Sequence, residues 1–457
     1  MTAFYAPIVM LPGGWARQVR IEVNHLGMIS DVQPGREAQG CTLLDGVVIP
    51  AMVNLHSRTF LSAIAGLDEV RSDIPAVSRP WRELLQRCLT PEQAGAIACR
   101  AYIDMLKGGY TQVAEFHYLH HDPQGKPWTQ GEQMLQQLIV AADQVGIGQT
   151  LLPVLVSHNG FGARPADKAQ RRLVQDVDRY LRLQQALAGA LVRYPLINQG
   201  IGFYSLSAVT QEQMEDVLEA CDYRLPVYLP VAVSAREVEA CLAWSGEKPA
   251  EWLFNRFAVD ERWCLVSPAY LDAQERALLA ESRAVAGMCP LAQASEGAGR
   301  FPVSDYIHQG GAWGIGSDGY LTPGAAEELR MLELTQRLRD GQPQRMALPE
   351  WPQVGEVLWR QAAAGGARAA GVMLGGIAPG LRADWLVLEQ DAWLSHVDDY
   401  GLLNRWIFGR GSRQIRDVWV AGREVIARRR HALDASCDAA FARAMQELNA
   451  WPEPFRS

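Results

Sequence analysis

Long apolar runs are missing. No segment of the 457 residues offers about 18 uninterrupted apolar positions, so no membrane span is expected. The opening stretch, Met1 to Met10, lacks the charged start, extended apolar centre and small-residue cleavage site of a secretory leader, and a cytoplasmic protein is expected. Basic residues are in deficit, with 43 Lys and Arg against 51 Asp and Glu, and they form no stripe, which argues against nucleic acid as a partner. The short cluster Arg428, Arg429 and Arg430 reads as solvated surface. The eight cysteines (Cys41, Cys88, Cys99, Cys221, Cys241, Cys264, Cys289, Cys437) include no CxxC pair, and several sit in apolar stretches such as Trp263-Cys264-Leu265-Val266. They read as reduced core residues of a cytosolic protein.

What is present is ordinary globular material: 48% apolar and 21% charged residues indicate neither disorder nor a fibrous architecture. The length allows a barrel with a smaller domain attached. The first fifty residues hold short β-rich runs broken by Gly and Pro. Strand-like runs then alternate with amphipathic segments, the pattern of repeated βα units. Eight candidate strands follow, at 47–53, 111–116, 148–156, 199–204, 225–231, 263–268, 284–290 and 312–316. Eight such units predict an α/β fold, a (β/α)8 TIM barrel. Past a helical stretch at 354–374, Gly375-Gly376-Ile377-Ala378-Pro379-Gly380 marks a tight turn before a strand, and a strand pair follows around Ala421-Gly422. Residues 1–49 with 376–457 are expected to form one small, sandwich-like β-domain beside a barrel of residues 50–375, because neither terminal region alone buries a core.

Barrel enzymes place their chemistry at the C-terminal ends of the strands. At the end of the first strand stands Asn54-Leu55-His56-Ser57-Arg58, and at the end of the last Gly316-Ser317-Asp318. Together with Ala114-Glu115-Phe116-His117-Tyr118-Leu119-His120-His121, Thr150-Leu151-Leu152-Pro153-Val154-Leu155, the 375–388 run and Leu402-Leu403-Asn404-Arg405-Trp406, this resembles the N-formimino-L-glutamate deiminases of the amidohydrolase superfamily over nearly the whole chain. The resemblance implies a zinc ion held by an HxH pair, a strand-five His and the strand-eight Asp. A zinc-bound water with a pKa near 7 would then supply hydroxide to an imine carbon.

Against that pattern the chain departs at most of the implied ligands. The second His of the pair is Arg58, the strand-five ligand position is Pro230, and the position of a proton-moving Glu is Val233. Neither Pro nor Val has a metal donor. Ser267 and Tyr270 stand in a strand-six segment where the family carries His, while Tyr204 and Ser207 replace a His and a carboxylate-binding Arg on strand four. Only His56 and Asp318 remain of four implied ligands, so no metal and no other cofactor is expected. His117, His120 and His121 offer an alternative, less favoured cluster. Arg58 is expected to pair bidentately with Asp318 in place of the metal, the alternative being a guanidinium turned to solvent. Tyr204, Tyr228, Tyr270 and Tyr320 are expected at the rim, either as packing or as a remodelled pocket with Arg82 and Tyr118.

Three functions stay open. The leading one is a homologue without metal-dependent deiminase activity that binds a small ligand in the old pocket or serves as partner subunit to an active homologue. The second is a metal-independent hydrolase or lyase using Asp318, His56 or a tyrosine as acid or base. The third is a genuine formimidoylglutamate deiminase. A homodimer is expected from the family alone.

Overall fold

The computed structural model describes residues 1–67, 69, 81–128, 132–319 and 323–450; Tyr320 lies outside them. A mixed sheet begins with β1 (Thr2–Leu11), β2 (Gly14–Val23) and β3 (Ile29–Gln33), paired antiparallel in sequence order. The short β4 (Thr42–Leu43) and then β5 (Val47–Pro50) run parallel to β1. Nine parallel strands come next: β6 (Met52–Ser57), β7 (Tyr110–His117), β8 (Gly148–Leu155), β9 (Ile197–Gln199), β10 (Ile201–Phe203), β11 (Val227–Pro230), β12 (Trp263–Val266), β13 (Val285–Met288) and β14 (Ala312–Ile315). Eight of them make a TIM barrel, and β9 adds beside β8. Their almost wholly buried residues suit strands covered on both faces.

The seam between β14 and β6 is closed by the Asp318 N–H donating to the His56 carbonyl at 3.0 Å and by the Asn54 side chain. Asn54 Nδ2 donates to Ser317 Oγ at 2.8 Å, and the Ser317 N–H donates to Asn54 Oδ1 at 3.0 Å. The helix Val354–Ala370 lies on β14, and this explains its small residues: a Cβ on Gly365 would meet the Trp313 carbonyl oxygen at 1.8 Å. Among the described residues no helix is long and apolar enough to cross a membrane.

The two chain ends share one sheet. β15 (Trp385–Leu388) pairs antiparallel with β5, then with β16 (Ile415–Val420), which pairs with β17 (Arg423–Ile426). Phe4, Trp385 and Trp419 pack edge-on or stacked inside it, an arrangement that adds directional ring contacts to area burial. Buried Arg382 ties this sheet to the barrel floor. It holds Asp384 with both arms and donates to Gln112 Oε1 at 3.0 Å and to the Thr111 carbonyl.

Three expectations change. The run 47–53 is not one barrel strand: Ala51 separates β5 of the sheet from β6 of the barrel, and both halves are apolar because both are buried. The C-terminal residues of the segment 376–457 do not all join the sheet. Helix Asp434–Ala450 packs on barrel helix Pro91–Lys107, where Lys107 and Arg100 meet Asp434. The cysteines are not all free, since Cys99 and Cys437 form a disulfide across these two helices. Their spacing of 338 residues offered no sequence signal.

Candidate ligand or active site at the barrel mouth

A cavity of about 220 Å³ opens at the C-terminal ends of the strands. Its wall brings together His56, Arg58, Tyr204, Pro230, Val233, Ser267 and Asp318, all of which the sequence had marked. His56 and Arg58 close β6, and Asp318 follows β14. The chain there turns through left-handed backbone, with φ of +54° at Asp318 and +87° at Gly319. Gly319 is required: a Cβ would lie 2.5 Å from the Arg58 carbonyl oxygen. A non-glycine residue held at positive φ is strained, and such strain collects at functional turns. Ala232 and Ser267, just past β11 and β12, share the conformation, with φ of +52° and +51°.

Arg58 grips Asp318 with two parallel hydrogen bonds, Nε to Oδ1 and Nη2 to Oδ2, each 2.6 Å. The His56 Nε2 lies 3.4 Å from Oδ1. Burial alone would push the Asp318 carboxyl up. The Arg58 charge, the His56 hydrogen bond and the Arg58 hydrogen bonds outweigh it and hold the group well below the usual carboxylate range. His56 is 4% exposed and rests against the Phe116 ring, and its Nδ1 is buried without a hydrogen-bond partner.

The strand end that carries Arg58 is clamped from below. Glu115 on β7 is fully buried and accepts from the Thr59 N–H at 2.9 Å and the Thr59 hydroxyl at 2.7 Å, with the Tyr102 hydroxyl at 3.3 Å. Burial raises its carboxyl to about 7, against the pull of these donors.

Other expected residues are distributed differently. Tyr118 stands edge-on behind Tyr204, ring centroids 5.3 Å apart, and does not itself reach the cavity wall. Burial raises the Tyr204 phenol to about 12. Tyr228 points into the sealed barrel interior, where its hydroxyl is buried without a partner. Tyr270 is 38% exposed and covers Gly299, so Tyr204, Tyr228 and Tyr270 do not form one ring around a pocket. Ser207 pairs with Ser205, Oγ to Oγ 2.8 Å, and it is Ser205 that faces the cavity. Arg82 does not line the cavity and donates to the wall residue Glu296 at 3.1 Å. The alternative histidine cluster is structural. The rings of His117, His120 and His121 bond to the carbonyls of Leu119, Val154 and Arg172, and burial lowers His117 to about 4 and His120 to about 3.

Among the polar wall residues, Ser205, Glu237, Gln293 and Glu296 had no sequence signal. The last two lie on and just after the short helix Pro290–Ser295, whose direction no local pattern specifies. Among the described residues, no group of three or more His, Cys, Asp or Glu side chains is arranged to hold a metal ion.

Comparison with known proteins adds lineage to this geometry. Residues 47–425 match the model of the amidohydrolase family. The chain is 45% identical to a formimidoylglutamate deiminase of Pseudomonas aeruginosa, over 98% of this chain and 100% of that one. It is 25% identical to a 5-methylthioadenosine/S-adenosylhomocysteine deaminase of Haloarcula marismortui over 76% of this chain and 74% of the relative. The crystal structure of an amidohydrolase from Brucella melitensis superposes with a TM-score of 0.93 at 36% identity, covering 98% of this chain and 100% of the other. A zinc-bound adenosine deaminase from Xanthomonas campestris superposes at 0.80 with 20% identity over 98% and 99% of the two chains, a likeness of fold alone.

Proposed function

Because the chain belongs to the amidohydrolase family and is a homologue of formimidoylglutamate deiminase, we propose that it has exchanged the family's metal for the Arg58 guanidinium and binds a small ligand at the barrel mouth without metal-dependent hydrolysis. The observation that carries this reading is the two-pronged Arg58–Asp318 contact. Zinc sites use three or four protein donors. Here the strand ends at the mouth supply one imidazole and one carboxylate, both carboxylate oxygens are committed to a cation, and Pro230 and Val233 add nothing. The residues therefore do not fit a divalent ion. A guanidinium offers one delocalised charge and no open coordination position, so it balances Asp318 but activates no water.

Overall similarity favours a second reading, retained formimidoylglutamate deiminase activity, since 45% identity across full length with a protein of that name is close kinship. One experiment separates the two. Protein purified without chelator is analysed for zinc, and ammonia release from N-formimino-L-glutamate is measured with and without added zinc. Zinc far below stoichiometric and no ammonia support the first reading; stoichiometric zinc with turnover establishes the second.

A further inference from the structure

The charges around the cavity are unevenly committed. Arg58 is spent on Asp318, and Arg82 at the rim is joined to Glu296. Among the described residues the wall therefore presents no uncommitted guanidinium or ammonium. It does present a carboxyl that no basic side chain among the described residues engages. Glu237, in the first turn of helix Ala235–Ser245, lines the cavity, and its two oxygens take only backbone N–H groups, Ala232 at 3.2 Å and Val233 at 2.9 Å. A carboxylate has about four acceptor positions, so two remain. Two further polar groups on the same wall have no partner: the buried side-chain nitrogen of Gln293 and Nδ1 of His56.

We propose that the ligand of this cavity is a small organic cation, an alkylguanidinium or alkylammonium without a carboxylate, whose N–H groups are received by Glu237. The inference rests on the ligand-binding reading above and adds the ligand's class. Among the described residues a ligand carboxylate meets on this wall only neutral donors such as the Gln293 side-chain nitrogen unless it displaces Asp318 or Glu296 from its arginine, whereas a cation satisfies an ionisable acceptor already facing it. The volume agrees: about 220 Å³ lies below the roughly 300–1,000 Å³ of most ligand pockets and suits a compact ligand.

Glu237 also gives the contact a pH dependence. Burial raises its carboxyl to about 7, and the Val233 and Ala232 N–H groups draw it partly back. The other titratable or charged groups sharing the cavity are His56, Arg58, Tyr204, Glu296 and Asp318, with Arg82 behind Glu296 and Cys241 one turn further along the helix of Glu237. As the carboxyl ionises with rising pH, cation binding strengthens.

The test compares propylguanidinium with propylurea, a neutral probe of the same shape, by isothermal titration calorimetry on the full chain. At about pH 8, propylguanidinium is expected to bind roughly tenfold or more tightly than propylurea, the ratio one charge-assisted hydrogen bond supports. The preference shrinks toward about pH 6 as the carboxyl protonates, and Glu237→Gln abolishes it. 4-Guanidinobutyrate, which adds a carboxylate, binds more weakly than propylguanidinium. Equal affinities for cation and urea, a preference that survives Glu237→Gln, or binding of neither probe overturns the proposal. Should Glu237→Gln fail to fold, the pH dependence in the unaltered protein decides. Zinc content and ammonia release judge the underlying reading separately, so failure of one is not mistaken for failure of the other.

Discussion

Replacing Arg58 with methionine keeps most of the side-chain stem and removes only the guanidinium. Asp318 then remains where it is, its side chain 9% exposed, with His56 at 3.4 Å as its remaining side-chain partner among the described residues. Breaking a buried ion pair by removing one member costs about 3–5 kcal/mol, because the other charge is left desolvated. The Arg58 side chain is 16% exposed and His56 stays close, so the lower end, about 3 kcal/mol, is expected. Urea unfolding followed by tryptophan fluorescence measures the loss. A thermodynamic cycle sharpens it: Arg58→Met combined with Asp318→Asn should cost less than the sum of the single changes, since the double variant buries no lone charge. An Arg58→Met protein within about 0.5 kcal/mol of the parent would refute the reasoning, because that is the behaviour of an exposed pair. A strictly additive cycle would refute it equally.

Arg58→His, which recreates an HxH sequence, should still hold far less than stoichiometric zinc by metal analysis, because Pro230 leaves the fourth implied ligand position without a donor. Glu115→Gln keeps an acceptor for Thr59 and removes a carboxyl whose folded value is raised from 4.5 to about 7. Such a group favours folding below about 4.5 and loses that contribution as pH rises through about 7, a swing on the order of 3 kcal/mol. Melting temperatures should thus show Glu115→Gln gaining on the parent at pH 8 relative to pH 5; an unchanged difference would count against a raised carboxyl. Gly365→Ala should destabilise by about 1–3 kcal/mol in spite of alanine's helix propensity, because the added methyl meets the Trp313 backbone, and a rise in the urea midpoint would contradict this. Arg382→Ala should be among the most damaging single changes, about 3–5 kcal/mol, by stranding Asp384 between sheet and barrel; a normal unfolding midpoint would speak against that role.

Much of this was legible in the residues. Alternating strand and helix periods led to the barrel, and with it to the adjacency of the first and last strands, which is why Arg58 and Asp318, far apart in sequence, could be paired before their contact was seen. The split at Ala51 was not legible. A strand of the sheet and a strand of the barrel, both buried, read as one apolar run. Nor was the fate of Tyr228 and Tyr270. Within a strand, one residue's shift exchanges interior for exterior, and beyond a strand end the loop decides. Gln293 and Glu296 are ordinary polar residues until a loop turns them toward the mouth. Cys99 and Cys437 looked alike reduced until two helices met.

The sheet shared by both ends of the chain has a consequence for how the protein is made. On the ribosome, β1 and β2 emerge early and can zip together as a local hairpin, but β5 has its second neighbour, β15, only near the close of synthesis. Throughout translation of the barrel, Val47–Pro50 therefore presents an apolar edge with unclaimed N–H and carbonyl groups, a template for pairing with the wrong chain. The order of synthesis makes this edge the place where a holdase chaperone, or crowding by neighbouring nascent chains, would decide the yield of folded protein.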